Sequence, residues 1–390
     1  YFGVINPNSL VRLSQNINIP PQGRDIFVST TQERFADALL PDQIDGENYS
    51  SLINSFSTIT YDITSNYSIN SVSNWSNIIN PFNNKQTIVV NGTIEINSGA
   101  TLSITDLNFQ FYSNGKIVVR NGAKLIVNGC LLEAVNCQLM WPGIIVENGG
   151  TIQVNGSATN SKSTIKDALN AITVSGLSTR TVLQNCNFEQ NENDIILNNC
   201  PISKIPISAT GPETSISNCV FDHSLALRDQ TKGITYDWSG NVKRGITGIS
   251  LRNCTSGEIF IGPNNLFING QYGITSNNSE YRIKSCSFNE IRGYGKVVVM
   301  SNPWTVITQN LPATAILSQN TILAGNRALT NEIATNTFYK CQRCINHNGN
   351  SAFIVKDKNI FVNSFEREIE VKGCKTKSKI EIVENTFDFC

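Results

Sequence analysis

The stretch NCNFEQNENDI, from Asn185 to Ile195, decides the fold because its pattern returns along the second half of the chain. A phenylalanine two or three residues after an Asn or a Ser recurs at Phe188, Phe221, Phe267, Phe288, Phe338 and Phe387. An isoleucine follows three of them at the same offset, at Ile195, Ile274 and Ile345. The shortest intervals, such as Phe267 to Phe288, are roughly two dozen residues, which is typical of solenoids whose coils stack on one another.

Upstream segments show the same architecture as short alternating strands that end at Asn-Gly or Ser-Gly, such as Gly115 to Val127 and Gly143 to Val154. Alternation directs one face of a strand inward, and Asn and Gly supply the positive φ of sharp bends. Asn-Gly alone would also fit the hairpins of an antiparallel sandwich. A sandwich has no reason to repeat Phe, Ile and a polar corner at the interval of a coil. We therefore predict an all-β right-handed parallel β-helix (β-solenoid) of roughly 12 to 14 coils.

Composition limits the function classes. The chain has 30 basic and 30 acidic residues, and only 15% of it is charged. This balance excludes the basic stripe that nucleic acid requires and a polybasic membrane contact. No apolar run is long enough for a membrane-spanning helix. Asn, with 51 residues, supplies most of the neutral polar surface, and we predict no cofactor.

Residues 1–60 differ from residues 61–390, which we assign to the β-helix. The first segment begins at Tyr1, which indicates a mature form or a fragment, and its stretch Thr31 to Leu40 has helical character. We predict a leader that caps the solenoid or docks to other surface or secretion proteins. The acidic run from Asp42 to Glu47 offers oxygen ligands for Ca²⁺ but lacks the alternation of an EF-hand loop.

The eleven Cys are interpreted mainly as small buried residues. Cys186, Cys219, Cys254 and Cys286 are predicted to form a ladder just inside one corner, with disulfides among them as the alternative. Cys130 and Cys137 are the candidate disulfide pair, because they are close in sequence beside a turn. Cys341 and Cys344 have the spacing of half a zinc or redox site, but no second pair accompanies them. Asn at successive corners predicts ladders of stacked amides.

No catalytic residue is identified from the sequence. The triplet within Tyr281 to Lys284 occurs in polygalacturonases, but the other motifs of those enzymes are missing. Asp222 and His223 could form an acid–base pair, yet adjacent residues of a strand point to opposite faces. A polar corner is the favoured explanation for that pair, and His347 is predicted to be a turn residue. The possible ligand contacts are Tyr236 and Trp238, because the segment from Ser224 to Arg244 interrupts the rhythm of the coils.

Three segments carry a family resemblance: Gly92 to Ile104, Gly115 to Val127 and Met140 to Val146. They resemble the β-helix region of large exported Bacteroidota proteins, which often contain "GATLTI", "GxIxVxxGAxLxxxG" and "MWxGI" patterns. Asp167 to Ile172 occupies the place of a later "AI" strand. The resemblance covers the chain from near Thr60 to near Ser175. It implies type IX secretion and an extracellular or cell-surface location, and little about activity.

These observations predict a structural stalk or an adhesin-like binding element, with carbohydrate as one possible ligand and a larger surface assembly as one possible setting. The alternative is a carbohydrate-active enzyme, a lyase or a hydrolase, with an atypical site on one face. Clustered carboxylates with Lys or Arg in a groove would favour the enzyme. A smooth face with ladders of Asn, Thr and Ser would favour the structural element.

Overall fold

A computed structural model of the chain describes residues 61–135, 139–204, 207–229, 231–232, 234–235, 243–292, 296–300, 306–310, 313–320, 329–374 and 379–388. Within these residues the protein is a right-handed parallel β-helix. Three parallel sheets of eleven strands each run along it, and every coil contributes one strand to each sheet in turn. Eleven coils at a strand spacing of about 4.8 Å give a length of about 50 Å.

Sheet 1 contains Tyr67–Ile69, Thr93–Ile96, Lys116–Val119, Gly143–Val146, Asn170–Ser175, Asn193–Asn198, Thr247–Arg252, Tyr272–Asn277, Thr314–Asn320, Arg343–Gly349 and Arg367–Lys372. Sheet 2 contains Val72–Ser76, Thr101–Thr105, Lys124–Asn128, Thr151–Asn155, Arg180–Gln184, Glu213–Ser217, Ile259–Ile261, Tyr281–Lys284, Thr330–Ala334, Ala352–Lys356 and Ile380–Ile382. Sheet 3 contains Thr87–Val90, Asn108–Phe111, Leu131–Ala134, Ser163–Lys166, Cys186–Glu189, Val220–Asp222, Leu266–Ile268, Ser287–Asn289, Thr337–Tyr339, Ile360–Val362 and Thr386–Asp388. Coils are numbered 1 to 11 in this order.

The core is built from the apolar half of each alternating strand. In Thr93–Ile96 the two isoleucines are buried and the two polar residues are partly exposed. Ile94 pairs with Ile117, which pairs with Ile144, so one position stacks on the same position of the next coil. Because the side chains of a strand alternate between its faces, this register keeps every apolar ladder inside the solenoid.

The predicted phenylalanine repeat is confirmed as one continuous stack on the inner face of sheet 3. Its rings are nearly parallel and lie 4.6–5.1 Å apart between centroids, in the order Phe188, Phe221, Phe267, Phe288, Phe338, Phe361 and Phe387. The isoleucine repeat is also confirmed, because Ile195, Ile274 and Ile345 belong to one ladder of sheet 1. The shortest repeat interval of the sequence is therefore the length of one coil.

A second ladder runs inside the corner between sheets 2 and 3. Strand register places these residues one above another: Cys130, Ser163, Cys186, Cys219, Asn265, Cys286, Asn336, Asn359 and Asn385. The predicted stacking of amides is confirmed where Asn336 Nδ2 donates to Asn359 Oδ1 at 3.1 Å. The assignment of Cys254 to this ladder is wrong. It follows a strand of sheet 1 and lies at another corner, beside Cys200.

Asn336 is a test of this amide ladder. Its Oδ1 accepts from the Cys286 amide at 2.9 Å, and its Nδ2 donates to the Ile283 carbonyl at 3.0 Å. Asn336→Ala leaves both backbone groups buried without these partners, and we expect unfolding in urea to show a loss of about 2 kcal/mol. Asn277→Ala removes an exposed amide from the outer face of sheet 1 and serves as the matched control. Equal losses in the two variants would contradict a role for the ladder.

The number of coils in the described residues, eleven, is lower than the 12 to 14 predicted. The reason is that insertions lengthen several coils. Residues 223–246 and 290–313 both connect sheet 3 to sheet 1, and each includes an antiparallel hairpin: Ile234–Thr235 with Lys243–Arg244, and Lys296–Met300 with Val306–Asn310. Counting coils from the shortest repeat interval overlooks these connections.

The predictions for residues 1–60, including the helix and the acidic run, lie outside the described residues. Two of the tryptophans are core residues: Trp75 is 5% exposed and Trp141 is fully buried. The Trp141 ring stacks on Phe111 with 4.1 Å between centroids. These two side chains cover the interior and are not surface contacts.

Candidate functional site

The outer face of sheet 3 carries a line of charged side chains, here called the charged row: Glu133, Lys166, Glu189 and Asp222. They occupy the same outward position in coils 3 to 6. Each directly follows a buried Leu, Ile or Phe of the core ladder, so alternation turns it outward. Lys166 Nζ lies 2.8 Å from Glu133 Oε2. Coil 7 ends the row, because Ile268 takes the position above Asp222.

One side of the charged row is bounded by the segment Ser224–Arg228, here called the clasp. It leaves coil 6 and runs back toward the N-terminal coils. Gln190 in coil 5 donates from Nε2 to the carbonyl of Ala226 at 2.8 Å. Arg228 reaches coil 4, where its Nε lies 2.8 Å from Asp167 Oδ2, and its Nη2 lies 3.9 Å from Glu133 Oε2. The clasp therefore ties a long insertion to three earlier coils.

Asp167 is fully buried at the corner beneath the clasp. Burial raises the pKa of Asp167 to about 6, although Arg228 and Lys166 act in the opposite direction. Its Oδ2 is in an ion pair with Arg228 Nε, and its Oδ1 receives no hydrogen bond. A buried carboxyl with a raised pKa beside the charged row marks a candidate functional region.

A buried Asp–His pair lies behind the same corner. His223 Nε2 is 3.0 Å from Asp194 Oδ2, and Asn191 Nδ2 donates to Asp194 Oδ1 at 2.9 Å. Burial raises the pKa of Asp194, partly offset by His223. Glycine at position 270 makes room for the His223 ring, because a Cβ there would lie only 2.6 Å from the ring Nδ1. The two side chains are 0% and 2% exposed, so the pair acts as an internal support.

The sequence-based interpretation of Asp222 and His223 is confirmed in one respect. Asp222 turns outward into the charged row while His223 turns inward, so they are not an acid–base pair. The partner of His223 is Asp194, from the neighbouring strand of sheet 1. The prediction that His347 is a turn residue is wrong. His347 lies in the strand Arg343–Gly349. Side chains alternate along this strand, so Asn346 and Asn348 face outward and the His347 side chain is buried.

Of the remaining candidate residues, some lie outside the described residues and the others are buried cysteines. Tyr236, Trp238 and Cys137 lie outside the described residues, so the proposed ligand contacts and disulfide stay predictions. Cys130 is buried in the corner ladder, with its thiol 3.4 Å from the Asn128 carbonyl oxygen. Cys341 and Cys344 are fully buried, and burial raises the pKa of Cys344, which opposes thiolate chemistry.

In the polygalacturonase-like triplet, Arg282 and Lys284 lie on the outer face of sheet 2 and Ile283 is buried in the core. Arg282 Nη2 is 3.3 Å from Glu258 Oε2, and Arg282 Nε is 3.4 Å from Glu332 Oε1. The arginine thus bridges carboxylates of neighbouring coils, which is a structural role.

No family model, curated protein or solved structure matches this chain. Across the described ranges, no helix has the length and apolar character needed to cross a membrane. In the same part of the chain, no group of three or more His, Cys, Asp and Glu side chains is arranged to hold a metal ion.

Sequence reasoning missed the charged row because its members belong to four different coils and are far apart along the chain. A signal was present, since each member directly follows the buried residue of a repeat, as Glu189 follows Phe188 and Asp222 follows Phe221. Aligning the repeats on these apolar residues would have brought the charges into one column. The clasp had no such signal, because the contact of Arg228 with Asp167 depends on the path of an irregular segment.

Proposed function

We propose that this chain is a secreted or cell-surface β-solenoid that acts as an adhesin-like binding element on a rigid stalk. The observation that carries the proposal is the regular stacking of eleven coils, with the charged row and the clasp as a polar patch on sheet 3. The Asn-rich composition and the resemblance to exported Bacteroidota proteins support the surface location. Residues 1–60 are the proposed docking segment toward other surface or secretion proteins.

The regular stacking supports the stalk. Parallel ladders on three sides, each with aligned apolar and amide side chains, resist bending because every coil is fixed by two neighbours. A rod of this kind holds a surface patch at a constant distance from its end. Amide hydrogen bonds inside the solenoid, such as the one from Asn336 to Asn359, and salt bridges between neighbouring coils, such as the one from Lys166 to Glu133, reinforce the stack.

The surface location is tested on intact cells of the source organism. Adding a protease or a membrane-impermeant biotin reagent should modify the native protein while a periplasmic or cytoplasmic marker stays untouched. Protection equal to that of the internal marker would reject the proposed location. Retention of the purified protein on immobilised glycans tests the binding role separately.

The second candidate function is a carbohydrate-active enzyme that uses Glu189 and Asp222. Two observations favour it: carboxylates cluster here with Lys166 and Arg228, and Glu189 and Asp222 are in register on adjacent strands, which lie about 4.8 Å apart. Retaining glycosidases hold their two carboxyls about 5–5.5 Å apart. Burial and then the nearby Asp222 charge raise the pKa of Glu189, partly offset by Lys166. Glu189 would protonate the leaving oxygen as the glycosidic C–O bond breaks and the Asp222 carboxylate bonds to the sugar carbon. Water would then replace Asp222 on that carbon and return its proton to Glu189.

Activity is tested by incubating the protein with a panel of neutral polysaccharides and measuring new reducing ends. An enzyme should lose this activity in Glu189→Gln and in Asp222→Asn, and keep it in Asp388→Asn, which changes the same outward position in coil 11. Binding without new reducing ends would support the adhesin-like role and reject the hydrolase.

A further inference from the structure

Two cysteines of neighbouring coils meet at the corner between sheets 1 and 2. Cys200 follows the sheet 1 strand of coil 6, and Cys254 follows the sheet 1 strand of coil 7. Asn198 is in register with Arg252, so the two cysteines, each two residues further on, lie at equivalent positions of their coils. Both are 0% exposed, and the Cys200 amide donates to Cys254 Sγ at 3.4 Å. The two thiols therefore lie side by side in one buried corner.

The spacing of these two residues suits a disulfide. Stacked coils place equivalent Cα atoms about 4.8 Å apart, within the range of about 4.4–6.8 Å that a disulfide spans. The two thiols hydrogen-bond to each other. Their contacts with backbone carbonyl oxygens are longer than a good hydrogen bond, 3.6 Å from Cys200 Sγ to Asn198 and 3.6 Å from Cys254 Sγ to Arg252. Little in this corner holds the two sulfur atoms apart.

Cys254 also has the acidity that disulfide formation requires. Hydrogen bonds from the Cys200 thiol and from the Cys200 amide lower the pKa of Cys254, although burial acts in the opposite direction. Cys186 and Cys219 form another pair stacked in register, at the corner between sheets 2 and 3. There burial, and then the contact with Cys219, raises the pKa of Cys186. Because the thiolate is the form that attacks a disulfide, Cys254 is the better nucleophile.

The pair brackets an unusually long coil. Cys200 and Cys254 are 54 residues apart, whereas the next step of the same corner, from Cys254 to Ser279, is 25 residues. Much of the excess is the connection 223–246, which contains the clasp and the hairpin of Ile234–Thr235 with Lys243–Arg244. The stabilisation that a disulfide provides increases with the length of the loop that it closes. A cross-link here would fix coil 6 on coil 7, where the insertion separates them along the chain.

We propose that Cys200 and Cys254 form a disulfide that locks coil 6 onto coil 7 as the two coils stack. The oxidant is a small-molecule or protein disulfide, for which oxidised glutathione serves as the probe. In the cell this inference rests on the proposed surface location, because compartments outside the cytosol are the ones that keep disulfides oxidised.

The exchange takes place in two steps. The Cys254 thiolate attacks one sulfur of the oxidant, whose S–S bond breaks and releases one thiolate. Cys200 gives its proton to that thiolate and attacks the Cys254 sulfur of the mixed disulfide, which releases the second thiolate. Two protein thiols are thus oxidised to one disulfide, and one oxidant disulfide is reduced to two thiols.

The first test is a disulfide map of the whole chain. The purified protein is unfolded in urea with a reductant, refolded in a buffer of oxidised and reduced glutathione, and alkylated in denaturant before mass spectrometry. Cleavage after Lys and Arg leaves Cys186 and Cys200 on one peptide, and cleavage after Glu189 and Glu192 separates them. We expect two peptides joined through Cys200 and Cys254, and their separation by a reductant.

The second test measures what the cross-link does to stability. In the natural protein we expect the oxidised sample to melt about 5 °C above the reduced sample, because the closed loop restricts the unfolded chain. Cys200→Ala and Cys254→Ala should each abolish this difference. Cys219→Ala is the matched control, since it removes one thiol from the other stacked pair, and it should keep the difference.

The inference is overturned if Cys200 and Cys254 are both alkylated after refolding with glutathione, or if Cys254 is joined to another cysteine. A cross-link without a rise in melting temperature would reject the lock. The map uses the natural protein, so it decides the pairing even where a variant does not fold. The cross-link in a protein that intact cells shield from protease would reject the surface location and leave the pairing. An unlinked pair in a protein that protease reaches would do the reverse.

Discussion

Replacing Phe267 with alanine is expected to lower the free energy of unfolding by about 4 kcal/mol. The ring is 1% exposed and lies between Phe221 and Phe288, with centroid separations of 4.6 and 4.7 Å. Its removal opens a cavity that the rigid backbone of coils 6 to 8 cannot fill, and it breaks two stacked ring contacts. Because coils contact only their neighbours, amide exchange should accelerate most in these coils.

The measurement is urea unfolding followed by tryptophan fluorescence, with hydrogen exchange to locate the change. The control is Tyr339→Ala, an aromatic residue on the outer side of the same sheet that is 37% exposed. We expect it to cost less than about 1 kcal/mol. A loss at Phe267 no larger than at Tyr339 would contradict the claim that the ring stack holds the coils together.

Acidification is expected to destabilise the protein through His347. Its side chain is fully buried, with Nδ1 3.0 Å from Ser318 Oγ and its ring stacked on Phe353 at 4.4 Å. Burial lowers the pKa of His347 to about 4, while an unfolded chain has a histidine pKa of about 6.5. Between these two pH values the folded state therefore binds fewer protons than the unfolded state. The stabilisation that the neutral histidine contributes is complete above the unfolded pKa and is lost as the pH falls toward 4. The full effect is about 3 kcal/mol.

His347→Gln isolates this contribution, because glutamine can still bond to the adjacent serines but does not titrate. Between pH 7 and pH 5 the natural protein should lose about 2 kcal/mol more stability than the variant. The carboxylates are the same in both proteins, so their contributions cancel in this difference. Asn348→Gln, on the exposed neighbour, should keep the pH dependence of the natural protein. Parallel stability curves for the natural protein and His347→Gln would contradict a buried neutral histidine.

The error on His347 shows where local reasoning fails. The sequence around it, Asn346 to Gly349, contains residues that turns prefer, so a turn is what the local sequence favours. In the solenoid these residues extend a strand of sheet 1, and the histidine is satisfied by Ser318 and Ser351, which lie 29 and 4 residues away in sequence. Local preference gave way to hydrogen bonds that exist only after the coils have stacked.

The amino-acid sequence by itself determined the architecture, because a stacked fold repeats its contacts at a fixed interval. The short interval from Phe267 to Phe288 and the isoleucines that accompany the repeats were enough to predict parallel coils and the inner face of each strand. Such ladders pair each residue with its own kind one coil away, so periodicity along the chain becomes proximity in space.

Only the tertiary structure decided which polar groups meet. The charged row gathers side chains from four coils, and Arg228 reaches Asp167, two coils earlier in the chain, through a segment with no repeat. Burial raises the pKa of Asp167, and His223 lies against Asp194 inside the same corner. Both arrangements depend on how neighbouring coils and insertions cover that corner. Long-range electrostatic contacts of this kind have no local sequence signature, because they arise from the path of the chain between the repeats.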